Sequence, residues 1–103
     1  MIHYTNSEGH KSIGSQVTWI FRAGQPPANH PFGAYFTDLP PDTNNLAYRL
    51  RVPKSKVEFM FQFKDIGDLK PLPGGRGAHI FYYPGDYAIH EGRQERHGET
   101  GIQ

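Results

Sequence analysis

Three residues in this chain have the types and settings to do chemistry. His3 heads a short strand-like run. Tyr35 lies inside Gly33-Ala34-Tyr35-Phe36-Thr37-Asp38, an aromatic strand opened by a glycine. Asp86 follows Pro84-Gly85 and precedes Tyr87-Ala88-Ile89. A fourth residue, Tyr48, lies beyond a Pro40-Pro41 turn, in a segment with a helix-start signature at Asp42-Thr43. A ring on a strand and a ring on the helix after it can converge on one cleft and hold a flat aromatic ligand between them. A neutral imidazole offers one donor and one acceptor, and a fixed carboxylate stabilises positive charge developing beside it. Each residue also has a plainer role: a satisfied strand histidine, core or rim tyrosines, and an aspartate capping a turn.

The chain that must position these groups has 103 residues, enough for one domain with one small core. Hydrophobic residues are 36% of it, yet aromatics reach 14%, so apolar area is concentrated in a few large rings. The 12 glycines and 9 prolines demand many loops and disfavour long helices. A β-rich α+β domain with one or two short helices is expected. Net charge is +1 and no basic block stands out, so neither nucleic acid nor membrane is indicated as a partner. The tail from Arg93 to His97, interrupted by Glu95, reads as a solvated end. With no cysteine, disulfides, thiolate metal sites and cysteine nucleophiles are excluded. No apolar signal-peptide core is expected in the first residues, leaving a cytoplasmic location or delivery as an effector. No run approaches the length of a membrane span.

In order, Ile2-His3-Tyr4 reads as a first strand, and Ser7 to Ile13 as a short helix weakened by Gly9 and Gly14. Val17 to Arg22 alternates, with Val17, Trp19 and Phe21 on one face. Ala23 to Pro31 is a loop. The strand around Tyr35 comes next. Thr43 to Leu50 follows as a helix capped by Asp42 or Thr43, with Leu46 and Leu50 on one face. Lys56 to Lys64 carries the cleanest alternation: Val57, Phe59, Phe61 and Phe63 point one way, making this the central core strand. Asp65 to Ala78 reads as a glycine-rich loop suited to move over a site. His79 to Tyr83 and Asp86 to His90 are the last strands, with Tyr87 and Ile89 opposite Asp86, Ala88 and His90. Trp19, Tyr82 and Tyr83 read as core. His10, His30 and His97 carry no expected catalytic role, and Gln25 and His30 are candidates for ligand contact.

His3-Tyr4-Thr5, Gly33-Ala34-Tyr35-Phe36-Thr37-Asp38, Leu46-Ala47-Tyr48 and Asp86-Tyr87-Ala88-Ile89 stand in the order and local context of the H-Y-[E/D] ADP-ribosyltransferases. That group includes diphtheria toxin and the poly(ADP-ribose) polymerases. The chain most resembles its small H-Y-D signature subgroup, which is found among toxin-like domains. The resemblance spans roughly residues 2 to 90. It implies a split β-sheet fold and NAD as co-substrate, without a metal. It further implies that the nicotinamide–ribose bond is cleaved and ADP-ribose passed to an acceptor or to water. By the same analogy His3 bonds the adenine-side ribose, and main-chain groups at Tyr4 and Thr5 hold the nicotinamide amide. Tyr35 and Tyr48 stack on the nicotinamide ring, and Asp86 is the catalytic carboxylate. Two positions depart from the common pattern: Asp86 stands where glutamate is usual, one methylene shorter, and Tyr4 where glycine is common.

Two other readings compete. One is a non-catalytic NAD- or nucleotide-binding module on the same fold. The other is a cupin-type metal-binding β-barrel using His79 and His90 around the Pro84-Gly85 turn.

Overall fold

Alternating phenylalanines make residues 59–63 the strand on which the domain is built. The structure, a computed structural model, describes residues 1–26, 30–73 and 78–102. Strand β1 (Ile2–Thr5) leads into helix α1 (Ser7–Gly14), then β2 (Trp19–Phe21) and β3 (Ala34–Thr37). Helix α2 (Leu46–Leu50) and a 3-10 turn (Lys54–Val57) precede β4 (Phe59–Phe63), β5 (Lys70–Pro71) and β6 (Ile80–Tyr83). The chain ends in β7 (Tyr87–Ile89) and β8 (Gln94–Glu99). This is a compact α+β fold. A six-stranded sheet runs β5-β6-β3-β1-β4-β8, and β2 and β7 form a separate two-stranded ribbon. Among the described residues the strand pairings are antiparallel.

Side chains alternate across the large sheet, so its two faces feed two clusters. One face packs against the ribbon: Ala34, Phe36, Phe61 and Phe63 meet Trp19, Phe21, Tyr87 and Ile89. The rings pack edge to face, Phe21 on Phe36 at 5.4 Å and 90°, Trp19 on Phe61 at 4.9 Å and 68°, the arrangement that ring quadrupoles favour. On the other face Leu39, Leu46 and Val57 form a smaller cluster with Tyr4, Ala47 and Leu50. Strand β4 is buried on both sides, because Met60 as well as Phe61 and Phe63 is buried.

Helix α1 forms despite its glycines. Asn6 caps it by accepting from the Gly9 N–H at 2.9 Å. Gly9 is needed there, because a Cβ would stand 2.0 Å from Thr5 Oγ1; the missing side chain lets α1 close onto β1.

Several elements differ from expectation. Val17 is 69% exposed, and β2 begins only at Trp19. Helix α2 starts at Leu46, not Thr43, because residues 40–43 close a turn with the Thr43 N–H on the Pro40 carbonyl at 3.1 Å. No side chain caps it. It ends at Arg51, in the left-handed region at φ 59°, with the Val52 N–H returning to the Ala47 carbonyl at 3.0 Å. Val57 lies on the 3-10 turn and joins the smaller cluster, not the phenylalanine face. Part of the expected loop 65–78 pairs as β5, and its residues 74–77 lie outside the described residues, as do 27–29 of the loop before Pro31. The expected solvated tail is edge strand β8, paired with β4 from Phe59–Glu99 to Phe63–Gln94. Its side chains are mostly exposed, so backbone hydrogen bonding and not apolar alternation places it.

Phe61 is completely buried between both sheets, so Phe61→Ala is expected to cost about 3–5 kcal/mol. Val17→Ala should stay within about 0.5 kcal/mol of the parent. Guanidinium unfolding measures both, and similar losses at the two positions would contradict this division of the core.

Candidate active site

Strand β1 uses its two edges differently. Met1 exchanges both main-chain bonds with Phe63, at 3.1 and 3.0 Å. By alternation His3 and Thr5 then bond toward β4, while Ile2 and Tyr4 turn their main-chain groups toward β3. On that side pairing consists of one rung, Ile2 with Thr37. The next rung, Tyr4 with Tyr35, is not formed. The imidazole of His3 occupies this opening, its Nδ1 lying 3.0 Å from the Tyr35 carbonyl.

A carbonyl only accepts, so Nδ1 carries the proton. The ring packs 4.6 Å from Phe21 and 5.7 Å from Phe36. Burial among these rings pushes its pKa down to about 4, against the pull of the Tyr35 carbonyl and with help from Lys56. His3 is therefore neutral at pH 7 and Nε2 is an acceptor. Among the described residues Nε2 has no hydrogen-bond partner.

Asp86 sits one residue before β7, beside the end of the ribbon. One carboxylate oxygen accepts the Ala23 N–H at 2.7 Å and the other meets Arg22 Nη1 at 3.1 Å. These bonds, the Ala23 backbone first and the Arg22 guanidinium second, hold the carboxyl below its usual range. Two links tie Asp86 to the opening. Phe21, whose ring touches His3, is next to Arg22 and pairs with Tyr87. Ala23 is next to Gly24, which exchanges both main-chain bonds with Gly33 at 3.0 Å, two residues before Tyr35. Gly33 must be glycine, because a Cβ would meet the Tyr83 carbonyl at 2.4 Å.

His3 and Tyr35 are thus in direct contact, whereas Asp86 touches neither: it is linked to His3 through Arg22 and Phe21, and to Tyr35 through Ala23, Gly24, Gly33 and Ala34. The Tyr35 side chain points to the sheet face opposite His3. Its hydroxyl donates to the Pro31 carbonyl, and its ring stacks on Tyr82 at 5.8 Å and 21°. Burial, then Tyr82, raises its pKa. The ring beside Tyr35 is therefore Tyr82, which the sequence reads as core, and not Tyr48. Tyr48 stands on α2, 84% exposed, without a ring partner among the described residues.

Of the two main-chain contacts expected beside His3, that of Thr5 is corrected. The Tyr4 phenol donates to the Leu39 carbonyl at 2.7 Å and packs in the smaller cluster; burial, then Asp42, raises its pKa well above the usual phenol range. Its side chain is a structural anchor, and only its main chain faces the opening. Thr5 is buried beneath α1 and its main chain pairs with Phe59 of β4, so it does not reach the site. The metal-barrel reading also fails on geometry. The large sheet ends in two edges, β5 and β8. His79 bonds Asp38 at 2.9 Å while His90 bonds Thr18 at 3.3 Å. Among the described residues no three His, Asp or Glu side chains gather as metal ligands. An open groove of about 450 Å³, lined by Gln16, Trp19, Gln94, Arg96 and His97 among others, lies at the far end of the ribbon and includes none of the expected residues.

Arg22 is the site residue that sequence reasoning missed. The alternation of residues 17–22 marks it as a polar strand end, and nothing in the chain pairs it with a residue 64 positions away. Compared with protein-family models, curated proteins and solved structures, the chain matches none. No helix among the described residues is long and apolar enough to cross a membrane.

The lowered pKa of His3 makes stability depend on pH with a definite sign. On acidification the unfolded chain takes up this proton first, near pH 6.5, and the folded chain only near 4. The contribution of His3 is present above about pH 6.5 and lost as pH falls toward 4. The unfolding free energy of the parent relative to His3→Gln should narrow by up to about 3 kcal/mol across that window. A pH-independent difference in urea unfolding would contradict a buried neutral imidazole.

Proposed function

We propose that this chain is an NAD-dependent ADP-ribosyltransferase of the H-Y-[E/D] type. It cleaves the nicotinamide–ribose bond and passes ADP-ribose to an acceptor, water included. One observation carries the reading. A neutral imidazole beside the break between β1 and β3, bonded to the Tyr35 carbonyl, is linked through Phe21 and Arg22 to an ionised, hydrogen-bonded aspartate.

The roles follow from the chemistry. The His3 donor is taken by the Tyr35 carbonyl, so toward a ribose hydroxyl His3 acts as acceptor through Nε2. The Tyr4 main chain, turned toward β3 where the ladder stops, offers an N–H and a carbonyl to the carboxamide. The Tyr35 ring lies on the sheet face away from the His3 imidazole and Tyr48 is exposed on α2, so neither ring has a stacking role beside His3 in this reading. When the C1′–N bond breaks, the electron pair leaves with nicotinamide and positive charge builds on the ribose carbon. The Asp86 carboxylate, fixed by the Ala23 N–H, stabilises that charge without having to reorganise.

A second reading, NAD binding without turnover, draws on the engagement of Asp86 by Arg22. Nicotinamide release separates the two. The parent chain is expected to release nicotinamide from NAD, and Asp86→Asn to lower the rate on the order of a hundredfold or more while NAD affinity changes little. Equal rates in both proteins would remove Asp86 from the chemistry. Saturable NAD binding with no release in the parent favours the binding module.

A further inference from the structure

We infer that the Arg22 guanidinium is the diphosphate-binding group of this site, parked on Asp86 until a dinucleotide is seated. The inference rests on the reading above and supplies the part of the substrate which that reading leaves without a contact.

Arg22 follows β2 directly and its side chain is 75% exposed. It meets Asp86 through one nitrogen, Nη1 on Oδ2 at 3.1 Å, and no other hydrogen bond from its guanidinium is found among the described residues. A guanidinium carries five donors in a planar fork, so this contact uses little of its capacity. Exposed one-pronged ion pairs are weak and readily exchanged. Asp86 keeps its place without Arg22, because the Ala23 N–H holds the other oxygen at 2.7 Å.

The covalent structure of the substrate fixes what must lie nearby. In NAD the ribose that loses nicotinamide is joined to the diphosphate through its own C5′ oxygen. A group that holds the diphosphate must therefore stand within a side chain's length of the carboxylate that serves this ribose. Arg22 meets that requirement, and its fork matches two phosphate oxygens at once. Exchange of partners also serves the chemistry. As the guanidinium moves to the diphosphate, Asp86 loses its counter-charge just when the ribose needs an uncompensated carboxylate.

Calorimetric titration of the full chain with NAD and with ADP-ribose, at low and at raised salt, tests this. Arg22→Ala and Arg22→Gln are expected to weaken both ligands on the order of tenfold or more. The fall in affinity with salt should flatten in both variants. Arg22→Lys should lie between, since a point charge replaces the fork. Unchanged affinity, or weaker binding with the salt dependence intact, would overturn the role of Arg22 and leave the NAD reading standing. Failure of the parent chain to bind NAD would overturn both.

Discussion

A hydrogen bond from the His3 imidazole to the Tyr35 carbonyl holds open a place where a β-ladder ought to continue. The strands β1 and β3 share one rung and then part. A buried carbonyl left without a donor would cost about 1–3 kcal/mol, and the imidazole supplies that donor. The same bond fixes the tautomer, and the aromatic surroundings keep the ring neutral. Structure and chemistry thus depend on one contact. It satisfies the interrupted sheet, and it leaves an acceptor nitrogen aimed away from the main-chain partner.

The surrounding architecture serves this opening. Strand β4, buried on both faces, pairs with β1 along its whole length, so β1 is anchored on one side and can spare its other edge. The Tyr4 phenol pins the chain beyond β3 through the Leu39 carbonyl. The ribbon of β2 and β7 packs Phe21 and Tyr87 against the sheet and thereby brings Arg22 and Asp86 to the same end of the molecule. Arg22 and Asp86 lie beside the sheet because the ribbon and the sheet pack through their rings.

Much of this is legible along the chain where one periodicity dominates. The phenylalanine alternation of β4, the glycine-opened strand around Tyr35 and the inward pair Tyr87 and Ile89 are all read directly. Edge strand β8 is not, because its residues Gln94 to Glu99 carry no apolar period and are held by backbone bonds alone. Helix α2 is placed three residues early, because Asp42-Thr43 is spent on a turn rather than a cap. At the site, the identities of His3, Tyr35 and Asp86 are visible in sequence but their partners are not. The pairing of Tyr35 with Tyr82, of Asp86 with Arg22, and of the Tyr4 phenol with Leu39 depends on strand register, which local patterns leave open.

The central claim is that a neutral, Nδ1-protonated His3 in the β1–β3 opening is where NAD is held. Long-range proton–nitrogen NMR of the imidazole, recorded against pH and then against added NAD, tests it most directly. The account requires one neutral tautomer with the proton on Nδ1, persisting on acidification to about pH 4, and an Nε2 resonance that shifts as NAD binds. An ordinary titration near 6.5, a proton on Nε2, or an Nε2 signal indifferent to NAD would contradict it.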